Sequence, residues 1–266
     1  MTVAPVTLAV LIAATLIIAL LPLVLFRYLR KPLALDRRDT IVGVAMFALS
    51  AMIVERAFHA LVLSRTPAGG WLTHPLAFVA YSALATAVFE ELGRYLGMRW
   101  LSRRYGTSAG NGRGIGYGIG YGIGHGGAQA WFVGVLVWGQ WAYLGWLASR
   151  GQLDAQLSDL PPDTVVRLQM MLATLSVPTV VLLLLERVAA FAVQVALSVF
   201  VWRGVRAGRA GVLPAAIVLH ALAAAPALLY QVRMLPAAWA EAAYFVIAAV
   251  LTAVLVKTCR APRAAH

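Results

Sequence analysis

Cysteine and acidic side chains are the scarce ingredients of this 266-residue chain, which has one cysteine, Cys259, and ten aspartates and glutamates in all. A single cysteine excludes an internal disulfide and any cysteine-based zinc site, so a metal would have to be held by histidine and carboxylate. Charge of either sign is thin, at 12% of residues against roughly 25% in an ordinary soluble domain. That deficit excludes a conventional soluble fold. What is present is apolar: 62% of residues are hydrophobic, mean hydropathy is +0.82, and long apolar runs recur from end to end. The composition predicts an all-α polytopic transmembrane bundle. Residues 1–266 are expected to form one integral membrane domain, multi-pass in the cell membrane, with the lipid bilayer as its surroundings and no separate soluble domain.

The net charge of +12 does not point to nucleic acid, because the basic residues sit in short segments between apolar runs, where they set orientation. Seven spans are predicted by the ~20-residue length rule, at 4–26, 40–63, 76–101, 114–147, 187–203, 212–231 and 237–257. The first, "LAVLIAATLIIALLPLVLF", lacks a basic n-region and a small-residue cleavage site, and reads as a retained helix rather than a signal peptide. The connections "RYLRKPLALDRRD", "RWLSRRYGTSAGNGR", "WRGVRAGRAG" and "KTCRAPR" are basic and are expected on the cytoplasmic side. The remaining connections are less basic or acidic. This alternation predicts the N-terminus outside and the C-terminus inside. Residues 164–186 are expected to form an extracytoplasmic or outer-leaflet helix leading into the fifth span, with Pro178 at its bend.

"GRGIGYGIGYGIGHGG" is not a phosphate loop, since no strand precedes it. Gly114, Gly118, Gly122 and Gly126 form one series and Gly116, Gly120 and Gly124 another. Residues two apart on a helix differ by about 200°, so the two series make nearly opposite smooth faces that neighbouring helices can approach closely. Tyr117, Tyr121, His125 and Gln129 form a third, polar-tipped face. The fourth span is therefore expected at the centre of the bundle. Trp131, Trp138, Trp141 and Trp146 are expected to form an outer interfacial belt.

Polar residues inside the spans carry the functional signal. Counted at 1.5 Å per residue from the expected cytoplasmic ends, Glu90 and Glu91 lie roughly 15 Å deep, His125 about 16 Å, Gln194 about 13 Å and His220 about 12 Å. Four helices thus place polar groups at one level, and polar groups in a bundle face inward and pair. Two carboxylates and two imidazoles at one depth suggest a metal site in which a bound water is activated. The plainer alternatives are a local pair between Arg94 and the glutamates three and four residues before it, and histidines acting as interhelical hydrogen bonders. Glu55, Arg56 and His59 fall in the outer half of the second span, as a structural polar cluster or the lining of a water cavity. His74 and His266 are assigned no role.

The stretches "FEELGRYLGMRWL", "YGIGHGGAQA", "LLERVAAFAVQVALSVFVW" and "AIVLHAL" resemble the YhfC family of intramembrane metalloproteases, which is related to the CAAX-protease and bacteriocin-processing superfamily and to PrsW. The motif region runs over 76–231. The resemblance implies zinc as cofactor and a membrane-protein or peptide substrate, cut within or near the bilayer. It implies Glu90, Glu91 and Arg94 as the catalytic group and His125, His220 and Glu91 as metal ligands, one glutamate serving as base and the other as ligand or orienter. The chain departs from the family pattern at Gln129, where a glutamate is common, at Gln194, where a histidine is expected, and at Ala224, where an acidic or amide residue is common. A catalytically impaired relative that binds or shields membrane helices, and a transporter using the same polar layer, are the alternative readings.

Overall fold

The computed structural model describes residues 3–65, 70–106 and 114–260. Of the basic connections quoted above, 107–113 and 261–263 lie outside the described residues, as do 66–69 and His266. Among the described residues all regular structure is helical. The helices are α1 (Pro5–Leu29), α2 (Arg37–Phe47), α3 (Arg56–Arg65), α4 (Pro75–Tyr105), α5 (Gly116–Ala130), α6 (Trp138–Ser149), α7 (Leu153–Leu157), α8 (Pro162–Thr174), α9 (Val177–Arg206), α10 (Val212–Gln231) and α11 (Ala237–Arg260). Two π-helical stretches, Ala48–Glu55 and Trp131–Val137, join α2 to α3 and α5 to α6 without a break.

Among the described residues six helical runs are long and apolar enough to cross a membrane: Pro5–Leu29, Arg37–Arg65, Pro75–Tyr105, Val177–Arg206, Val212–Gln231 and Ala237–Lys257. The chain is a polytopic helical membrane protein. The fourth expected span, 114–147, falls on the run from α5 through α6, which is helical but less apolar than the six because glycine, His125, Gln129 and Gln140 dilute its hydropathy. The fifth span begins at Val177 rather than near 187. The break between α8 and α9 lies at Leu175 and Ser176, so Pro178 opens α9 instead of bending a helix. Proline is tolerated there because the first turn has no partner for its missing N–H, and Ser176 Oγ accepts a hydrogen bond from the Thr179 backbone N–H at 3.3 Å.

The chain packs as two compact units, one of Met1–Val24 with Gln129–Val188 and one of Leu25–Ala128 with Ala189–His266. In the first, Val3, Leu144, Leu147, Leu153, Leu157 and Leu172 form the buried core. Gly134 lets the second π stretch press against Ile18, whose Cγ2 would lie 2.7 Å from a Cβ at that position. Trp138 is buried at 2% exposure, whereas Trp131 and Trp146 are 46% and 40% exposed. The expected aromatic belt therefore loses Trp138, which packs inward.

In the second unit α10 and α2 pack on α4, and α11 packs on α10. The two glycine faces of α5 meet different neighbours. A Cβ on Gly118, Gly122 or Gly126 would lie 2.9 Å from Val199 Cα, 2.8 Å from Val195 Cα or 2.9 Å from Gln194 Cβ, so this face lies directly on α9. On the other face Gly116 meets the Leu33 carbonyl, Gly124 the Thr40 carbonyl and Gly120 the Asp39 side chain. Thr40 Oγ1 donates to the Gly120 carbonyl at 3.0 Å and ties α2 to this face. Every residue of α5 from Gly116 to Gly127 is buried. Backbone contact at this range requires hydrogen in place of a side chain, which explains the glycine repeat.

Candidate functional site

The second unit brings one residue or more from each of α4, α5, α9 and α10 to a single point, and Glu90 Oε2 is its centre. His125 Nε2 lies 3.2 Å from this oxygen, His220 Nε2 3.9 Å, and Gln194 Nε2 donates to it at 3.0 Å. The four side chains come from helices far apart in sequence and are each 6% exposed or less. The groups expected at one depth meet at one point.

Glu90 and Glu91 are neighbours in sequence but are turned about 100° apart around α4, and so face different partners. Glu91 Oε1 is 2.7 Å from His220 Nδ1. Its other oxygen, Oε2, is 3.2 Å from Arg94 Nε, an ion pair without hydrogen-bond alignment, since both atoms are buried without a hydrogen-bond partner. Arg94 is fully buried. Its Nη1 donates to the Gln194 carbonyl at 2.7 Å and to Ser198 Oγ at 2.8 Å, and its Nη2 donates to Gln194 Oε1. A guanidinium with its fixed fork of donors suits this buried three-way contact. Gln194 thus bridges the cation and the central carboxylate, its oxygen facing Arg94 and its amide nitrogen facing Glu90.

The rings are held by packing. His125 meets the edge of Phe47 at 5.2 Å between centroids and stacks on Tyr121 at 6.0 Å. His125 Nδ1 and Tyr121 Oη are buried without hydrogen-bond partners. The residues the sequence reading missed are Ser198, which ties Arg94 to α9 and donates to the Gln194 carbonyl at 2.7 Å, and Ser50, which packs on Gly93. Ser198 was detectable as a hydroxyl one turn after Gln194 on an apolar helix. Ser50 carried no such signal.

Glu55 and His59 meet each other away from this centre, with Nε2 to Oε1 at 3.3 Å. Thr86 Oγ1 donates to the same Glu55 oxygen at 2.6 Å, and Tyr81 Oη lies 2.6 Å from His59 Nδ1. This is a second polar cluster, between α4 and the junction of the first π stretch with α3.

The YhfC intramembrane metalloprotease profile matches residues 17–245, which include every residue of both clusters. The chain belongs to the YhfC intramembrane metalloprotease family. It is 29% identical over 217 residues to the uncharacterized membrane protein YhfC of Bacillus subtilis (strain 168), covering 80% of each chain. No solved structure matches it.

A metal is what the family description implies, and the donors can be tested for fit. Neighbouring ligands around a tetrahedral ion with bonds of ~2.1 Å stand about 3.4 Å apart, and two imidazole nitrogens flank Glu90 Oε2 at 3.2 and 3.9 Å. His220 also has the carboxylate behind its other nitrogen that metal-binding histidines commonly show, whereas His125 Nδ1 has none. In kind, the donor set fits zinc. As placed, no three His, Cys, Asp or Glu side chains among the described residues form a metal-holding group, so ligation would require His125 and His220 to turn their Nε2 atoms from Glu90 toward the ion.

Proposed function

We propose that the chain is an intramembrane hydrolase of the cell membrane that cuts a peptide bond in or beside a membrane segment, with Glu90 as the base. The observation that carries this reading is the meeting of Glu90, His125, Gln194 and His220 at one carboxylate oxygen inside an apolar bundle. Ionisable groups at such depth are expensive and mark function by default. Held by His125 and His220, zinc would supply a polarised water and a Lewis acid for the scissile carbonyl.

The chain's own groups divide the remaining work. Glu90 Oε2 takes the proton of the attacking water as oxygen bonds to the carbonyl carbon. It returns that proton to the amide nitrogen as the carbon–nitrogen bond breaks. Gln194 Nε2–H and the His125 imidazole hold Glu90 in place. Glu91 holds His220 through Nδ1 and so leaves Nε2 facing Glu90. Of the two roles open to Glu91, ligand or orienter, the hydrogen bond to Nδ1 favours orienter, because its second oxygen is occupied by Arg94. Arg94 offsets the Glu91 charge where no water screens it. The whole chain acts as one membrane domain, N-terminus outside and C-terminus inside.

Gln194 favours a second reading, in which a catalytically impaired relative binds or shields membrane helices. Its amide stands where the family resemblance leads one to expect a histidine, and it engages Glu90. The two readings separate with purified protein in liposomes. The hydrolase should carry stoichiometric zinc and cleave membrane-segment peptides, and Glu90→Gln should abolish cleavage while leaving the fold intact. Wild-type protein without zinc and without cleavage across a library of such peptides would leave the binding role.

A further inference from the structure

Hydrolysis consumes one water per bond, and a base buried at 3% exposure among apolar helices needs a supply of it. We propose that Glu55, His59, Tyr81 and Thr86 form the hydration route to Glu90, opening at the end of the second unit where α4 begins. The proposal rests on the hydrolase reading for its purpose, but its geometry is independent of that reading.

The four side chains make a directional chain. With Tyr81 O–H donating to His59 Nδ1 at 2.6 Å, His59 Nε2–H faces Glu55 Oε1 at 3.3 Å, and Thr86 O–H completes that oxygen at 2.6 Å. The His59 side chain is 30% exposed and that of Glu55 10%, so exposure falls from His59 to Glu55, and Thr86 beyond it is half-buried. The inner end lies beside the site. Thr86 and Glu90 are four residues apart on α4, hence on one face and about 6 Å apart along the axis. Packing fixes the register from the other side. A Cβ on Gly93 would lie 2.7 Å from Ser50 Oγ, and Glu55 reaches Thr86, so the stretch Ala48–Glu55 runs along α4 over the turn that carries Glu90. That stretch is π-helical, a geometry frequent at functional sites, and it ends on Glu55. Phe58 packs on Phe89 at 5.1 Å, and Phe58 and Trp71 pack on Tyr81 at 6.3 and 5.6 Å, so aromatic rings flank the polar line. A carboxylate and an imidazole between apolar helices are costly unless they meet water or a partner. A purely structural lock between α3 and α4 would explain the hydrogen bonds, but it would not make the inner residue reachable from water.

Reachability is therefore the test, in sealed vesicles holding the full chain in a Cys259→Ser background, with a small charged membrane-impermeant methanethiosulfonate as probe. Thr86→Cys should react from the same side as Thr73→Cys, which marks the beginning of α4. Val88→Cys, near the same depth but on an outward face at 38% exposure, should react at least about tenfold more slowly, because a charged reagent does not enter lipid. Glu55→Leu should slow Thr86→Cys by a similar factor. Ser82→Cys, one turn nearer the opening, serves if Thr86→Cys fails to fold and should follow the same pattern. An unreactive cysteine at 86 or 82 in folded protein would overturn the route, as would reaction from the opposite side, equal reaction at 88, or indifference to Glu55→Leu. None of these outcomes depends on cleavage, so the route and the hydrolase reading fail separately.

Discussion

Arg94 is the residue on which the centre's electrostatics turn, because it is fully buried and faces Glu91, Gln194 and Ser198 at once. Removing one partner of a buried ion pair strands the other charge, which typically costs about 3–5 kcal/mol, whereas removing both is far milder. Arg94→Met should therefore lower the melting temperature of the detergent-solubilised protein sharply. Arg94→Met with Glu91→Gln should recover a large part of that loss, since the glutamine needs no counter-charge and can still accept from His220 Nδ1. If the double variant melts no higher than the single one, Arg94 acts mainly through Gln194 and Ser198. The sequence displayed only half of this arrangement. Spacing of three and four residues made Arg94 a local partner for the glutamates, and Glu91 does pair with it. The bonds to Gln194 and Ser198 depend on how α9 is rotated against α4, which no spacing within one helix encodes. The same limit applies to the division between Glu90 and Glu91: adjacency announced two roles, and only the position of α10 tells which glutamate meets His220 Nδ1.

Among the elements, α5 was the most legible, because a four-residue glycine period has few physical explanations in a membrane helix. Its two series do face two neighbours, and the contacts grade them. A Cβ on Gly124 would collide with the Thr40 backbone, one on Gly120 would lie 3.3 Å from Asp39 Cβ, and one on Gly114 would meet, among the described residues, only Arg206 Nη1, at 3.7 Å. A backbone atom cannot swing aside and a side chain can. Gly124→Ala should thus destabilise by about 1–3 kcal/mol, as overpacking does, Gly120→Ala by less, and Gly114→Ala by little. Thermal melts of the three variants in one detergent check the order, and equal melting at 124 and 114 would show that α2 does not lie on this face. The π stretches were illegible for the opposite reason. A π turn arises when packing forces an extra residue into a helix, and the run Ala48–Glu55 has the composition of any apolar span. Pro178 misled because a proline signals a boundary without saying on which side the new helix begins; Ser176, able to cap the N-terminus of α9, was the better guide.

For the whole molecule the open quantity is the number of crossings, and it depends on what hydropathy measures. A hydropathy average scores how well a helix faces lipid. Residues 116–127 face protein, with Thr40, Asp39 and Leu33 on one side and Val195, Val199 and Gln194 on the other. Low hydropathy there reflects a helix lined by glycine for close packing, and His125 within it is matched by Glu90 instead of exposed to hydrocarbon. On this argument the run from α5 through α6 is predicted to cross the membrane in addition to the six more apolar runs. Seven crossings put the two termini on opposite sides, six put them on the same side, and the arginine-rich connections fix which is which. A fluorescent protein that matures only in the cytoplasm should therefore light up when fused to the C-terminus. A short protease-cleavable tag at the N-terminus should be removed from intact spheroplasts by added protease. Both termini on one side would return the count to six and leave α5 to reach its partners from a single face of the membrane. The basic Arg203–Arg209 connection and the Arg233 connection, at opposite ends of α10, would then have to be reassigned with it, which single-cysteine labelling at Gly208 and Met234 would reveal.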